Sequence, residues 1–166
     1  TATGGRRTID QLRDAVAGKA TFIGVGVGDG SDMPTLSALE NAGGKVLYEQ
    51  FVDRAGMGGQ VATRGVNMFT EEWPRGADGH FFSNVFHDWS VETNRLLAQK
   101  SFDALPSGGA FIVYEAIIDD DRSKNAFGLL MSLNMLIETR HGFDYTGAEC
   151  RQWLRDAGFR AVRQEH

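Results

Sequence analysis

The stretch HFFSNVF at 80–86, which runs on into His87-Asp88-Trp89, and the stretch AFIVYEAII at 110–118 decide the fold. With TFIGVGV at 21–27 they are short apolar runs flanked by Gly, Pro or charged residues. Runs of this kind read as strands buried on both faces of a parallel sheet, since a half-buried strand would alternate apolar and polar. Weaker strand candidates are KVLYEQF at 45–51, QVATRGVNMF at 60–69 and FRAVRQE at 159–165. Helical stretches lie between them. One runs from Thr8 to Gly18, and a second from Ser31 to the Gly43-Gly44 stop. A third begins at Ser90 and ends before Pro106, and a fourth opens with Thr146 and closes at Gly158. Ser and Thr are natural N-caps, while Gly and Pro end helices. Strands alternating with helices imply βαβ units, hence an α/β fold with an open, mostly parallel sheet. Ligands of such sheets bind beyond the carboxyl ends of the strands. The residues just after each apolar run are therefore the candidates for function.

The 166 residues suit one domain. A net charge of −5 speaks against a nucleic-acid or anionic-membrane surface, which needs a basic patch. No apolar run approaches the ~18 residues of a bilayer span. Cys150 is the lone cysteine, so neither a disulfide framework nor a cysteine-built zinc site is available. Residues 1–20 carry no apolar segment of the secretory kind. With the single thiol, this gives a cytoplasmic expectation.

Glycine is over-represented, and several glycines cluster after the first strand as Gly24-Val25-Gly26-Val27-Gly28-Asp29-Gly30. Glycines there let the backbone approach a ligand closely. The dinucleotide pattern G-x-G-x-x-G fails in both registers, because the third position falls on Asp29 or Ser31. The spacing is G-x-G-x-G at Gly26, Gly28 and Gly30, which suits a ligand without a pyrophosphate. A plain strand–helix turn is the competing reading. Glu49 ends the second strand, where an acid can accept hydrogen bonds from ribose hydroxyls. A solvated carboxylate explains it as well.

From Ser83 to Asp121 the chain reads SNVFHDWSVETNRLLAQKSFDALPSGGAFIVYEAIIDDD. This closely resembles the core of S-adenosylmethionine-dependent O-methyltransferases, the family of plant caffeate and flavonoid, hydroxyindole and bacterial polyketide enzymes. The resemblance continues through NAFGLLMSLNMLIETRHGFDYTGAECRQWLRDAGFR. It is strong over 60–165 and weaker over 19–59. It implies a Rossmann-like class I methyltransferase sheet, truncated at its C-terminal edge. Residues 1–166 would form the S-adenosyl-L-methionine-binding catalytic domain, without the family's N-terminal dimerisation domain and last strand. A homodimer is implied where that N-terminal domain is present. His87 matches the general base, Glu115 one flanking acid, and Asp144 the place of the second. Gly26, Gly28 and Gly30 match the cofactor loop, and Glu49 the ribose-binding acid. Asn67-Met68-Phe69 match an Asp-Met-Phe beside the adenine. Ser83 falls where a cofactor-reaching Lys often stands, and Trp89 packs near the cofactor. Met135 and Thr139 align with residues that cradle the acceptor ring. The chain departs from the pattern at Gly24, usually Asp, at Val27, usually Gly, and at Asn67, where the carbonyl oxygen would replace a carboxylate.

The chemistry is consistent with those residue types. A phenol has a pKa of ~10 and is a poor nucleophile at neutral pH until a base takes its proton. Histidine, with an ordinary pKa of ~6.5, suits that task. An acid behind the ring fixes its tautomer and stabilises the imidazolium. The expected substrate is a hydroxylated aromatic small molecule, and no metal is needed. Asp119-Asp120-Asp121 read as a solvated turn. Met131, Met135 and Leu136 could line an aromatic pocket, and core packing explains them equally well. Two other classes stay open. One is a degenerate, non-catalytic relative that binds only the nucleoside or a protein partner. The other is a nicotinamide-dependent oxidoreductase, which the failed glycine spacing disfavours.

Overall fold

The computed structural model describes residues 22–25 and 67–165. Gly26, Gly28, Gly30, Glu49, the first two helical stretches and the strand candidate at 45–51 lie outside them. The chain divides into two compact units, one of residues 1–25 with 74–166 and the other of residues 26–73.

In the first unit the three apolar runs become strands β1 (Phe22–Val25), β2 (Gly79–Ser83) and β3 (Ala110–Tyr114). They form a parallel sheet in the order β1-β2-β3. Gly79 pairs with Phe22 on one side and Ala110 on the other, so the strand starts are level. The central strand β2 is largely enclosed, with His80 and Phe82 fully buried. β3 departs from the expectation of burial on both faces. It is an outer strand among the described residues, has one described neighbour, and leaves Tyr114 49% exposed.

Three helices follow from their sequence signals. α1 (Val91–Ala104) starts at Ser90, whose hydroxyl accepts from the Thr93 amide, and stops before Pro106. Its inner stripe is Asn94, Leu97, Ala98 and Ser101, the spacing of one helix face. The Ser101 hydroxyl lies 2.7 Å from His80 Nδ1, which ties α1 to β2. Burial pulls the His80 pKa below the ordinary histidine value. α2 (Ala126–Glu138) is capped by Asn125, whose side chain accepts from the Gly128 amide and donates to the Ile117 carbonyl. α3 (Gly147–Asp156) opens with a complete capping box between Thr146 and Glu149. Gly158, at φ +109°, turns the chain out of α3.

The core is aromatic. Phe82, Phe86 and Phe111 pack with centroids 4.9–5.8 Å apart. Tyr145 joins this group to Trp153 and Phe143. Phe159, after α3, reaches both Phe111 and Phe102. Two expectations need correction here. The segment 159–165 is not a strand: Ala161 sits at φ 53°, which breaks an extended run, and no described strand pairs with it. Residues 67–69, the described end of the candidate at 60–69, enter a turn instead of a strand. The triple aspartate is more than a solvated turn. The Asp119 carboxylate accepts from the amides of Ser123, Lys124 and Asn125, and Asp120 accepts from the Ala148 amide at the start of α3.

Candidate active site

The site is built where β2 and β3 end. After Ser83, Asn84 takes a left-handed φ of 53°, a conformation that Asn tolerates better than most residues. The chain is thereby turned into a single 3-10 turn, Phe86–Asp88. At the end of β3, Glu115 meets this turn from beneath. Its Oε1 accepts from the amides of Val85 at 2.9 Å and Phe86 at 2.6 Å. Its Oε2 accepts from the Tyr145 hydroxyl at 2.5 Å. The far side of the turn is held by Asn94 of α1, fully buried, whose amide donates to the Phe86 carbonyl at 2.8 Å.

His87 rides on this turn and is 7% exposed. Its carbonyl accepts from the Phe143 amide at 2.8 Å, which sets the segment beyond α2 against the turn. Asp144, next along, then falls beside the ring, with Oδ1 3.5 Å from Nδ1. The Asp144 amide donates to Ser132 Oγ of α2, and its Oδ2 has no hydrogen-bond partner among the described residues. On the other edge of the ring, Asp88 Oδ1 is 3.6 Å from Nε2. The two edges differ in access: the Asp88 side chain is 19% exposed and that of Asp144 1%. The imidazole is thus bracketed by acids, and Nε2 lies on the more open edge. Both distances are those of ion pairs rather than hydrogen bonds. Catalytic contacts in unliganded sites are often long in this way.

The electrostatics follow from this packing. Burial is the largest single influence on His87 and lowers its pKa. The Asp144 contact and the charges of Glu115, Asp88 and Asp144 together outweigh burial and leave the imidazole above the ordinary value. Burial raises the Asp88 pKa, against the lowering effect of His87. Burial also raises the Glu115 pKa, opposed by the Tyr145 hydroxyl, His87 and the two amides. The same burial, with the Glu115 charge, pushes the Tyr145 phenol well up.

The structure brings His87, Asp144 and Glu115 into one cluster, but with unequal roles. Asp144 faces the ring directly. The hydrogen bonds of Glu115 go to the backbone and Tyr145, so its influence on the imidazole is electrostatic. Flanking of the ring from two sides by these two acids is therefore corrected: the second acid at the ring is Asp88. Ser83 stands half-buried at the carboxyl end of β2, and Trp89 terminates the His87 turn. Met135 is buried at 5% exposure in α2, whereas Leu136 is 64% exposed. The Thr139 hydroxyl donates to the Met135 carbonyl and accepts from the Gly142 amide, so it closes α2. In the second unit, Asn67 Oδ1 accepts from the amides of Phe69 and Thr70, and the Met68 carbonyl accepts from the Trp73 indole. The Asn67 carbonyl oxygen expected at the adenine therefore caps its own turn. Sequence reasoning passed over Asp88 as an acid, Asn94, Gly142 and Tyr145. Asp88 stood inside the motif that singled out His87. An Asn in the first turn of a helix, where it disfavours helix, was a signal for Asn94.

Comparison with known proteins agrees with this architecture. Residues 45–160 match the O-methyltransferase domain, and the chain belongs to that family. It is 41% identical over 132 residues to the 3-hydroxy-5-methyl-1-naphthoate 3-O-methyltransferase of Streptomyces sahachiroi, covering 80% of this chain and 36% of the relative. The chain therefore spans about a third of that relative's length. Among solved structures it resembles the S-adenosylmethionine-dependent methyltransferase SibL in its apo form. The TM-score is 0.71 at 29% identity, over 96% of this chain and 52% of that one. It also resembles human N-acetylserotonin methyltransferase in complex with SAM. There the TM-score is 0.62 at 29% identity, over 65% of this chain and 31% of the other. The fold is thus that of the class I methyltransferases.

Proposed function

We propose that this chain is the catalytic domain of an S-adenosylmethionine-dependent O-methyltransferase acting on a hydroxyl of an aromatic small molecule, with His87 as general base. The observation that carries this reading is the buried imidazole with Asp144 behind Nδ1 and its Nε2 edge on the more open side. Family membership and the relatives named above support the reaction class.

The strand ends of the described sheet support a place for such a cofactor. Ser83 ends β2 half-buried, and β1 ends alongside it, Val25 pairing with Phe82, immediately before the glycine stretch. By the family resemblance, Ser83 and Trp89 are the residues of this unit expected to hold the cofactor, and Gly26, Gly28, Gly30, Glu49, Asn67, Met68 and Phe69 are those expected in the other unit. Bound there, the cofactor supplies the methyl group on a cationic sulfur. The chain's own residues manage the proton. Asp144 favours the tautomer with hydrogen on Nδ1, which leaves the Nε2 lone pair to accept the phenolic proton. The resulting imidazolium is stabilised by Asp144, Asp88 and the Glu115 charge. Met135 and Thr139 would border the acceptor ring from α2. The outward face of α2 carries Phe127, Leu130, Leu133, Leu136 and Ile137, each more than half exposed. So large an apolar surface supports the reading that a further domain covers it, with a homodimer where that domain is present. A cytoplasmic setting belongs to the same reading.

Transfer of labelled methyl to a panel of hydroxylated naphthoic acids and phenols, with cofactor binding followed by calorimetry, tests the proposal. Transfer is expected, and His87→Ala should lower kcat by ~10²–10⁴ without loss of cofactor binding. Cofactor binding without transfer by the complete protein would instead favour the non-catalytic reading.

A further inference from the structure

Three carboxylates surround His87, yet Glu115 is the one whose hydrogen bonds are all directed away from the ring. Two of its partners are the amides that begin the His87 turn. The third is a phenol, buried at 1% exposure, on the residue following Asp144. The segment carrying that phenol is independently fixed. The Phe143 amide donates to the His87 carbonyl, the Asp144 amide to Ser132, and the Ile118 amide to the Tyr145 carbonyl. The Tyr145 ring is also held by Phe86, Phe143 and Trp153. Its hydroxyl is therefore not needed to keep the ring in place. What the hydroxyl does is complete the coordination of a carboxylate that otherwise has only backbone donors on one oxygen.

We propose that Tyr145 is a positioning residue of the site: by donating to Glu115 Oε2 it holds that carboxylate as the anion that anchors the Val85 and Phe86 amides and so presents His87. The proposal rests on the reading of His87 as the base and adds to it a residue acting only through Glu115. A buried carboxylate stays ionised only when its oxygens are hydrogen-bonded. Loss of the phenolic hydroxyl leaves Oε2 bare, favours protonation of Glu115 and removes one of the negative charges that stabilise the imidazolium. The other charged groups facing this region are Asp144 from the segment after α2, Asp88 from the turn itself and, toward Asp88, Glu138 at the end of α2. They remain in place, as does the Cys150 thiol of α3, which also meets the Tyr145 hydroxyl, so the Glu115→Gln background is what separates the effect carried by Glu115.

The test is the titration of the His87 imidazole followed by NMR in the full chain. It is measured for the unsubstituted protein, Tyr145→Phe, Glu115→Gln and the double variant. Gln at 115 retains an oxygen for the two amides but carries no charge. Each single variant is expected to shift the His87 midpoint downward, and Tyr145→Phe should add nothing in the Glu115→Gln background. With substrate, kcat should fall about tenfold while KM holds. An unchanged midpoint in Tyr145→Phe, or a shift that adds to that of Glu115→Gln, overturns the proposal. In the unsubstituted protein the Tyr145 hydroxyl proton should appear far downfield and exchange slowly. An ordinary, freely exchanging phenol would overturn it even if a variant failed to fold. None of these NMR readouts requires methyl transfer, so failure here is distinguishable from failure of the enzymatic assignment.

Discussion

Gly142→Ala sets two effects of opposite sign against each other at the point where the site is clamped. Gly142 is buried and is not among the described residues with positive φ, so its backbone would accept alanine. Where conformation allows it, Gly→Ala stabilises by ~0.4–1 kcal/mol through the unfolded chain. The space does not allow it. A Cβ at this position would stand 2.5 Å from the His87 carbonyl oxygen and 3.1 Å from the Asp88 carbonyl carbon, and would overlap the Thr139 hydroxyl. The first two are backbone atoms of the 3-10 turn and cannot rotate aside. Overpacking of this kind costs ~1–3 kcal/mol. Displacing the Thr139 hydroxyl from its two hydrogen bonds adds about 1 kcal/mol. The net loss is ~1–3 kcal/mol. At ~2–4 °C per kcal/mol for a chain of this size, Tm should fall by about 2–12 °C. Thermal unfolding followed by circular dichroism reads this directly. The same shift must loosen the Phe143–His87 hydrogen bond, so the His87 titration midpoint should move as Asp144 withdraws. A variant that melts at or above the parent temperature would show that entropy outweighs contact, and the clamp argument would fail.

Thr146→Ala removes half of the capping box of α3 and should cost ~1 kcal/mol in urea denaturation; an unchanged midpoint would mean that Asp120 alone satisfies that helix end. Cys150 is buried and its thiol is pushed up to about 12, by burial first and by the Glu115 charge. Iodoacetamide should therefore label it only when denaturant is added, and rapid native labelling would contradict the packing. The kcat profile should rise with pH through the His87 value, above the ordinary 6.5, because neutral imidazole is the active form. Asp144→Asn should move that inflection downward and lower the plateau by ~10²–10⁴; an inflection that stays put would separate Asp144 from the base. A raised folded pKa also means that His87 contributes stability in full below 6.5 and loses it as pH rises through the folded value. The urea midpoint should decline across that interval, and the decline should be absent in His87→Gln.

Much of the sheet was legible because its strands are continuous apolar runs bounded by turn residues, although the enclosure that such runs suggest holds for β2 and not for β3. The helix starts at Ser90 and Thr146 were legible because a cap is a local event, written within four residues. FRAVRQE at 159–165 was misread for the complementary reason: its alternation is that of a strand, but a strand also needs a neighbour, and Phe159 is engaged instead with Phe102 and Phe111. In the site, His87 and Asp88 were adjacent in a motif, and Asp144 fell at an aligned position. Asn94, 8 residues from its partner, was marked only by its unfavourable place in a helix, whereas Tyr145 and Gly142 were invisible because their roles are relations across 30 and 55 residues of chain. No periodicity or cap records such distances.

The arrangement around His87 also explains why three acids are gathered where one would orient the ring. A single buried carboxylate beside a histidine must first offset the desolvation of the imidazolium, which here is the largest influence and works against a strong base. Asp144, in direct contact but wholly buried, fixes the tautomer. Glu115 lies out of contact and adds charge while its oxygens secure the turn. Asp88, on the more open edge, adds charge where water still reaches. Removing any one acid should weaken the base by a different route: through the tautomer for Asp144, the turn for Glu115 and the local field for Asp88. The three substitutions should therefore separate in kind as well as size. Asp144→Asn alters kcat most, Glu115→Gln alters both kcat and stability, and Asp88→Asn chiefly shifts the pH profile. A common, interchangeable effect from all three would reduce the cluster to undifferentiated negative potential and remove the basis for assigning each its own part.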